Sequence, residues 1–164
     1  MPPLPNRRPA SDGAATARDQ LPDPLRPFRF HGVDFEWLPG RAQAHGECPF
    51  CGKAKWYVKS ATGQWDCKSC AASGNASSFL FQLWEYAKDG HTAKYAADLA
   101  RERRLLDPQT VLAWGLALSP LTGDWLVPGW GADGTLINLY RYVETHKGKR
   151  ALYSTPGCHH GLLR

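Results

Sequence analysis

The chemistry of this chain is concentrated in the stretch CPFCGKAKWYVKSATGQWDCKSC, residues 48–70. Cys48 and Cys51 form one Cys-x-x-Cys pair, Cys67 and Cys70 a second, and fifteen residues separate the pairs. Two intervening residues let a tight turn aim both thiolates at one point. A β-hairpin then brings the second pair round to complete a tetrahedron of zinc ligands. Gly52 suits the turn after the first pair, because a residue without Cβ adopts backbone conformations that others resist. Four thiolates leave no open coordination position, so the expected ion is structural, and its binding energy is largely the folding energy of the module. Iron is chemically admissible at the same ligands. A redox Cys-x-x-Cys would not come doubled, and a reducing compartment disfavours disulfides.

The residues between the pairs suggest what the module touches. If KWYVKS is a strand, Lys55, Tyr57 and Lys59 face one way and Trp56 and Val58 the other. A row of cations with an aromatic suits single-stranded nucleic acid, whose phosphates follow the lysines while exposed bases stack on the ring. Trp65 on the return strand offers a second flat surface, and Lys53 and Lys68 flank the two turns. From Arg41 to Cys70, five cations stand against Glu47 and Asp66, a net of +3. Small zinc modules also use aromatics to build a core, and Trp56 fits either use. The fifth cysteine, Cys158, lies beside His159 and His160. Adjacent residues on an extended chain point to opposite faces, so these three read as a surface loop rather than a second metal site.

These residues need elements to position them. The chain has 164 residues, a net charge of +5 and 43% hydrophobic residues, which fits a globular protein with an anionic partner. No apolar run reaches the roughly 18 residues of a membrane span, and the N-terminus lacks a signal-peptide core, so a cytoplasmic protein is expected. Residues 1–27, rich in Pro, Ala, Asp and Arg, read as a disordered arm whose Arg7 and Arg8 suit either a solvated tail or phosphate contact, the solvated tail being the expectation. Order is expected from Phe28, where FRFHGVDFEWL brings aromatics at alternating positions. Residues 28–90 form the zinc-ribbon domain. It closes with a helix capped by Ser77 or Ser78, striped by Phe79, Leu83 and Tyr86, and stopped by Gly90.

Residues 91–115 form a helical connector. Its first helix is capped by Thr92, with Tyr95, Ala96 and Leu99 inward, and a short one runs from Asp107 to Gly115. Residues 116–164 give short β-prone runs divided by turns at Thr122-Gly123-Asp124, Ala132-Asp133-Gly134 and Lys147-Gly148. Asp124 and Asp133 read as turn formers. The fold class is α+β: an N-terminal zinc ribbon of antiparallel strands with following helices, joined to a small β-rich module.

The run CKSCAASGNASSFLFQLWEY, with KYAADLARERRL after it, resembles the zinc-binding domain of DnaG-type bacterial and phage DNA primases. Gly74, Asn75, Phe79, Leu80, Leu99 and Ala100 stand at the matching places. LAWGLALSP, DWLVPGWGADGTLINLYRYV and ALYSTPGCHHGLLR are similar to segments at the start of the primase RNA polymerase domain. All four zinc positions are Cys, as in several phage enzymes, and Ala71 stands where the second turn usually has Gly. The resemblance implies a template-binding portion of a primase that recognises single-stranded DNA for RNA primer synthesis. Arg141, Tyr142, Lys149 and Arg150 would line the approach of template and primer. It also implies that magnesium belongs to acidic residues of a TOPRIM fold beyond GLLR, so no catalytic residue is expected in this chain. Implied partners are the single-stranded template, a replicative helicase or the rest of a primase chain. The alternative is a zinc-ribbon DNA-binding regulator or adaptor without a polymerase role.

Overall fold

Alternation of inward and outward residues builds the first sheet. The computed structural model describes residues 21–89, 92–103, 107–145 and 148–159. In it Phe35–Glu36 (β1), Gln43–Gly46 (β2), Trp56–Lys59 (β3), Trp65–Cys67 (β4) and Ser73–Gly74 (β5) pair antiparallel in that order. Phe35, Ala44, Trp56, Val58, Trp65 and Cys67 turn inward and are buried. Gly46 lies opposite both Phe35 and Trp56, and a Cβ there would sit 2.2 Å from the Asp34 carbonyl oxygen, so only glycine lets β1 cross so closely.

Helical elements cover the inner face. A 3-10 turn, Asp23–Leu25, leads into Arg26–Phe30 (α1), each with a proline at its start, where the missing N–H costs nothing. Leu25 and Phe28 are fully buried. The chain is therefore already structured within the segment expected to be an arm as far as residue 27. Apolar contacts of Leu25 and Pro27 override the composition there; residues 1–20, with Arg7 and Arg8, lie outside the described residues. The alternating aromatics of FRFHG accordingly belong to a helix, not a strand.

Ala76–Asp89 (α2) starts earlier than its serines suggest, because Asn75 is the cap. The Ser78 N–H donates to Asn75 Oδ1 (2.9 Å) and the Asn75 N–H to Ser78 Oγ (2.8 Å), a reciprocal arrangement of the capping-box kind. Its buried stripe is Phe79, Leu80, Leu83, Trp84 and Ala87, whereas Tyr86 is exposed. The expected stop at Gly90 lies outside the described residues.

Thr92–Arg103 (α3) buries Ala96, Leu99 and Ala100, and Pro108–Ala113 (α4) buries Val111 against them. Asp107 caps α4 as expected, accepting from the Thr110 N–H (3.0 Å). Thr92 does more than open a helix: its buried hydroxyl donates to the Ala87 carbonyl (2.7 Å) and accepts from the Leu118 N–H (3.0 Å). It ties α2 to the second sheet.

That sheet is an antiparallel meander of Ala117–Leu118 (β6), Trp125–Trp130 (β7), Leu136–Glu144 (β8) and Arg150–Tyr153 (β9). The expected turn at Asp133 forms, its carboxylate accepting from the N–H and hydroxyl of Thr135. The Lys147 end of the last turn lies outside the described residues. The protein is thus α+β, a zinc-ribbon-like sheet with following helices and a β-rich module. One hydrophobic cluster runs through both halves, from Trp56, Phe28 and Phe79 to Leu83, Ala117, Leu126 and Leu139. Among the described residues no helix is long and apolar enough to cross a membrane.

Candidate functional site

Both cysteine pairs are wound into the same turn. The Gly52 N–H donates to the Cys48 carbonyl (2.8 Å) and the Cys48 N–H to the Lys53 carbonyl (2.9 Å). Nineteen residues on, the Ala71 N–H donates to the Cys67 carbonyl (3.0 Å) and the Cys67 N–H to the Ala72 carbonyl (2.8 Å). Residues 52 and 71 both take positive φ, +67° and +60°. The β3–β4 pairing, with Trp56 opposite Cys67, then swings the second turn against the first.

The four Sγ atoms lie within 4.8 Å of one another, with Cys48 to Cys70 at 3.8 Å and Cys51 to Cys67 at 3.7 Å. Four sulfurs about 2.3 Å from a central zinc are ~3.8 Å apart at the corners of a regular tetrahedron. A disulfide would need about 2.05 Å. The thiolate donor set and its spacing therefore fit a structural zinc ion held by Cys48, Cys51, Cys67 and Cys70.

Local electrostatics differ between the buried corners. Burial pushes the Cys48 thiol up to about 12. Burial pushes Cys67 the same way, but the Cys70 and Ser69 N–H groups and the neighbouring sulfurs outweigh it and bring that thiol down to about 7. A metal cation stabilises all four as thiolates by displacing their protons.

The outer face of the ribbon is built by strand pairing. Across it run Glu36, His45, Tyr57, Asp66 and Ser73, each opposite the next. Tyr57 is half-buried and Lys53, Lys55, Lys59 and Lys68 are exposed. Trp56 and Val58 turn inward, as the alternation requires. Two acids temper the expected positive charge, for Lys68 Nζ sits 2.7 Å from Asp66 Oδ2 and Glu36 lies 3.8 Å from His45 Nε2. A shallow open groove is lined by Trp65, Asp66, Ser73 and Gly74 of β4 and β5, with Lys59, Gln64, Asn75 and Ser78. A Cβ on Gly74 would fall 1.9 Å from Ser78 Oγ and displace the hydroxyl that accepts from the Asn75 N–H.

Two of the sequence-derived contact residues are used otherwise. Trp65 is only 3% exposed, its indole N–H donates to the Asn75 carbonyl (2.9 Å), and its ring packs among Phe50, Trp56 and Phe79. It cannot stack on a base, because the small ribbon spends it on its own core. Arg141 donates to the Asp124 carboxylate and the Phe30 carbonyl and lies over the Phe30 ring, so it joins the two halves of the protein rather than lining a path. Asp124 is accordingly an ion-pair partner as well as a turn residue.

The remaining β-module candidates are dispersed. Arg150 pairs with Glu102 and Glu144, Lys149 is exposed, and half-buried Tyr142 lies between Trp125 and Leu152 in the sheet register. Cys158 is half-buried against the core and burial raises its thiol. His159 offers its carbonyl, not its ring, to Asn138, and His160 lies outside the described residues.

Sequence reasoning missed His45 and Gln43, which share the outer face with Tyr57 and Lys59. Gln43–Gly46 lacks a marked alternation of its own, and only its register against β3 gives it a facing.

No family model matches the chain, and no curated protein does. Among solved structures the chain is similar to the zinc-binding and RNA polymerase domains of the Aquifex aeolicus primase, at 15% identity and a TM-score of 0.29. The match covers 85% of this chain and 53% of that one, so the chain spans about half the length of that structure. A TM-score this low gives the likeness no functional weight. The geometry by itself gives four cysteine sulfurs positioned to bind a metal ion, beside a sheet whose outer face carries lysines around one tyrosine.

Proposed function

We propose that this chain is the template-binding, zinc-ribbon portion of a phage-type DNA primase, holding single-stranded DNA for RNA primer synthesis. One observation carries the reading. On β3 the outward residues Tyr57 and Lys59, with Lys55 just before the strand, remain accessible while the inward Trp56 and Val58 are consumed by the core. Cations spaced along one extended strand match a single row of phosphates, and a ring between them accepts an unstacked base. The order of the sequence blocks that resemble a primase supports the same reading. The metal fixes the face and takes no part in chemistry. Polymerisation and its magnesium belong, in this reading, to a partner domain.

The test is fluorescence anisotropy of labelled single-stranded and matched duplex oligonucleotides across a salt series, with and without chelation. Single strands should bind more tightly, and chelation should abolish the difference. Tyr57→Ala should weaken single-strand binding by about tenfold or more, the worth of one stacked base. Lys55→Ala should lower the salt slope by about 0.7. Duplex preference would instead support a regulator. Absence of binding to either would support an adaptor whose mixed face, with Glu36 and Asp66 among the lysines, meets a protein.

A further inference from the structure

Two modules joined by a linker normally unfold separately, and the loss of one leaves the other intact. Here the contact between ribbon and β-module is neither small nor polar. Phe28 of α1 packs on Trp56 (centroids 5.3 Å apart) and on Phe79 (4.8 Å), and the same cluster continues to Leu126 and Leu139 of the second sheet, both fully buried.

A buried hydrogen-bond chain crosses at the same place. His31, fully buried, lies 2.7 Å from Thr155 Oγ1 through its Nε2, and the Thr155 hydroxyl donates to the Leu139 carbonyl (2.6 Å). With its own proton given to Leu139, Thr155 accepts, so His31 carries its hydrogen on Nε2. Trp84 of α2 adds a second crossing, its indole N–H donating to the Gly115 carbonyl (2.7 Å) and its ring standing edge-on to Trp130. Thr92 is the third, bridging Ala87 and Leu118. At the fourth, the Thr122 methyl group packs against Gly32, where an added Cβ would fall 2.6 Å from Thr122 Cγ2.

We propose that occupancy of the four-cysteine site sets the order of the β-module: the metal acts as a conformational latch for β7 and β8, on the far side of the seam. The physical reason is that the core is shared across the seam and includes Cys48 and Cys67, so the metal fixes one wall of the same cluster that holds Leu126 and Leu139. When Cys48 and Cys67 lose their common partner, Trp56 loses the fixed position of Cys67 opposite it, and Phe28, which packs on Trp56, loses its support in turn. Leu126 and Leu139 are then exposed to water, and the buried polar groups of the His31–Thr155 chain lose their pairing. Metal binding and β-module order thus become two faces of one equilibrium, and each must act on the other by the same factor. The inference rests on the metal reading of the cysteines and is independent of whether the outer face binds nucleic acid.

Native-state hydrogen exchange on the full chain, with zinc and after chelation, tests it directly. Chelation should lower protection at Leu139–Arg141 in β8 by more than about tenfold, in step with Trp56–Val58 in β3. Loss of protection in β3 alone, with β8 within about twofold of its zinc-loaded value, would overturn the proposal. The reciprocal test measures zinc affinity of Thr155→Val by competition with a chromophoric chelator. This variant alters only the β-module end of the seam and leaves every cysteine in place. Its affinity should fall by roughly threefold to tenfold, whereas an unchanged affinity in a variant with reduced β8 protection would also overturn the latch. Should Thr155→Val not fold, exchange on the unaltered chain still decides.

Discussion

The two cysteine turns are built on one hydrogen-bond scheme, yet they are not equal. In the first, Cys48 is buried, Cys51 half-buried, and Gly52 takes the left-handed position with open space around it. In the second, Cys67 is buried, Cys70 exposed, and Ala71 takes the same position with a Cβ that resists it. Pro49, Phe50 and Cys51 of the first turn are half-buried, whereas Lys68, Ser69, Cys70 and Ala71 of the second are exposed. The difference sets a strained, exposed corner against a packed one around the same four sulfurs. The metal's binding energy covers a local cost on the order of 1 kcal/mol with ease.

The sharpest way to break this comparison is to remove one sulfur from each turn. Cys48→Ser should abolish stoichiometric zinc binding and the cooperative thermal transition, because a buried hydroxyl replaces a ligand where no water can substitute. Cys70→Ser should keep the fold and weaken zinc by about a hundredfold, ~2.7 kcal/mol, since water reaches the exposed corner. Metal content and melting curves of both variants check this, and equal losses would make the turns equivalent.

Acid should act next. Thiols must shed protons to hold the metal, so zinc affinity falls as pH falls. His31 adds a separate acid sensitivity. Burial, then the nearby Arg141 charge, lowers its pKa from 6.5 to about 3, so it is neutral in the folded protein while the unfolded chain takes up a proton. Its contribution is therefore full above pH 6.5 and is lost as pH falls toward 3, at up to ~1.4 kcal/mol per pH unit. Urea titrations at pH 7.5 and 5.5 in a fixed excess of zinc measure the sum of the two effects. His31→Gln, which can still donate to Thr155, should flatten the histidine part of the slope and leave the metal part.

The smallest effects are the most discriminating between the turns. Ala71→Gly should stabilise the zinc-loaded protein by ~0.5–1 kcal/mol, and Gly52→Ala should destabilise it by a similar amount, through the left-handed backbone alone. A double variant exchanging the two residues should then melt close to the unaltered chain. A large loss in Gly52→Ala would mean that the first turn does more than hold φ, since among the described residues no heavy atom beyond its chain neighbours lies within 4 Å of the added Cβ.

Local rules made much of the site legible. The Cys-x-x-Cys spacing fixes which side chains can reach one ion, because two residues close one tight turn whatever the rest of the chain does. Strict alternation in WYVK sorts Trp56 and Val58 from Tyr57 and Lys59, because side chains on a strand must point to opposite faces. Asp107, Pro108 and Gly115 bound a short helix through the backbone groups at its own ends. Each of these depends on residues a few positions apart, so the sequence by itself determined the metal ligands, the facing of β3 and the α+β class.

Tertiary structure alone decided the rest. Trp65 and Tyr57 are both aromatics on ribbon strands, but pairing with Val58 turns Trp65 into the core. Arg141 resembles any surface cation until the fold places it over Phe30, on a helix far from it in sequence. Leu25 belongs to the core although its neighbours suggest a solvated arm, since burial is set by what the distant strands leave uncovered. The seam through His31 and Thr155 joins residues 124 positions apart. Its partners are chosen by the docking of two sheets, a property of the packed whole that no local pattern carries.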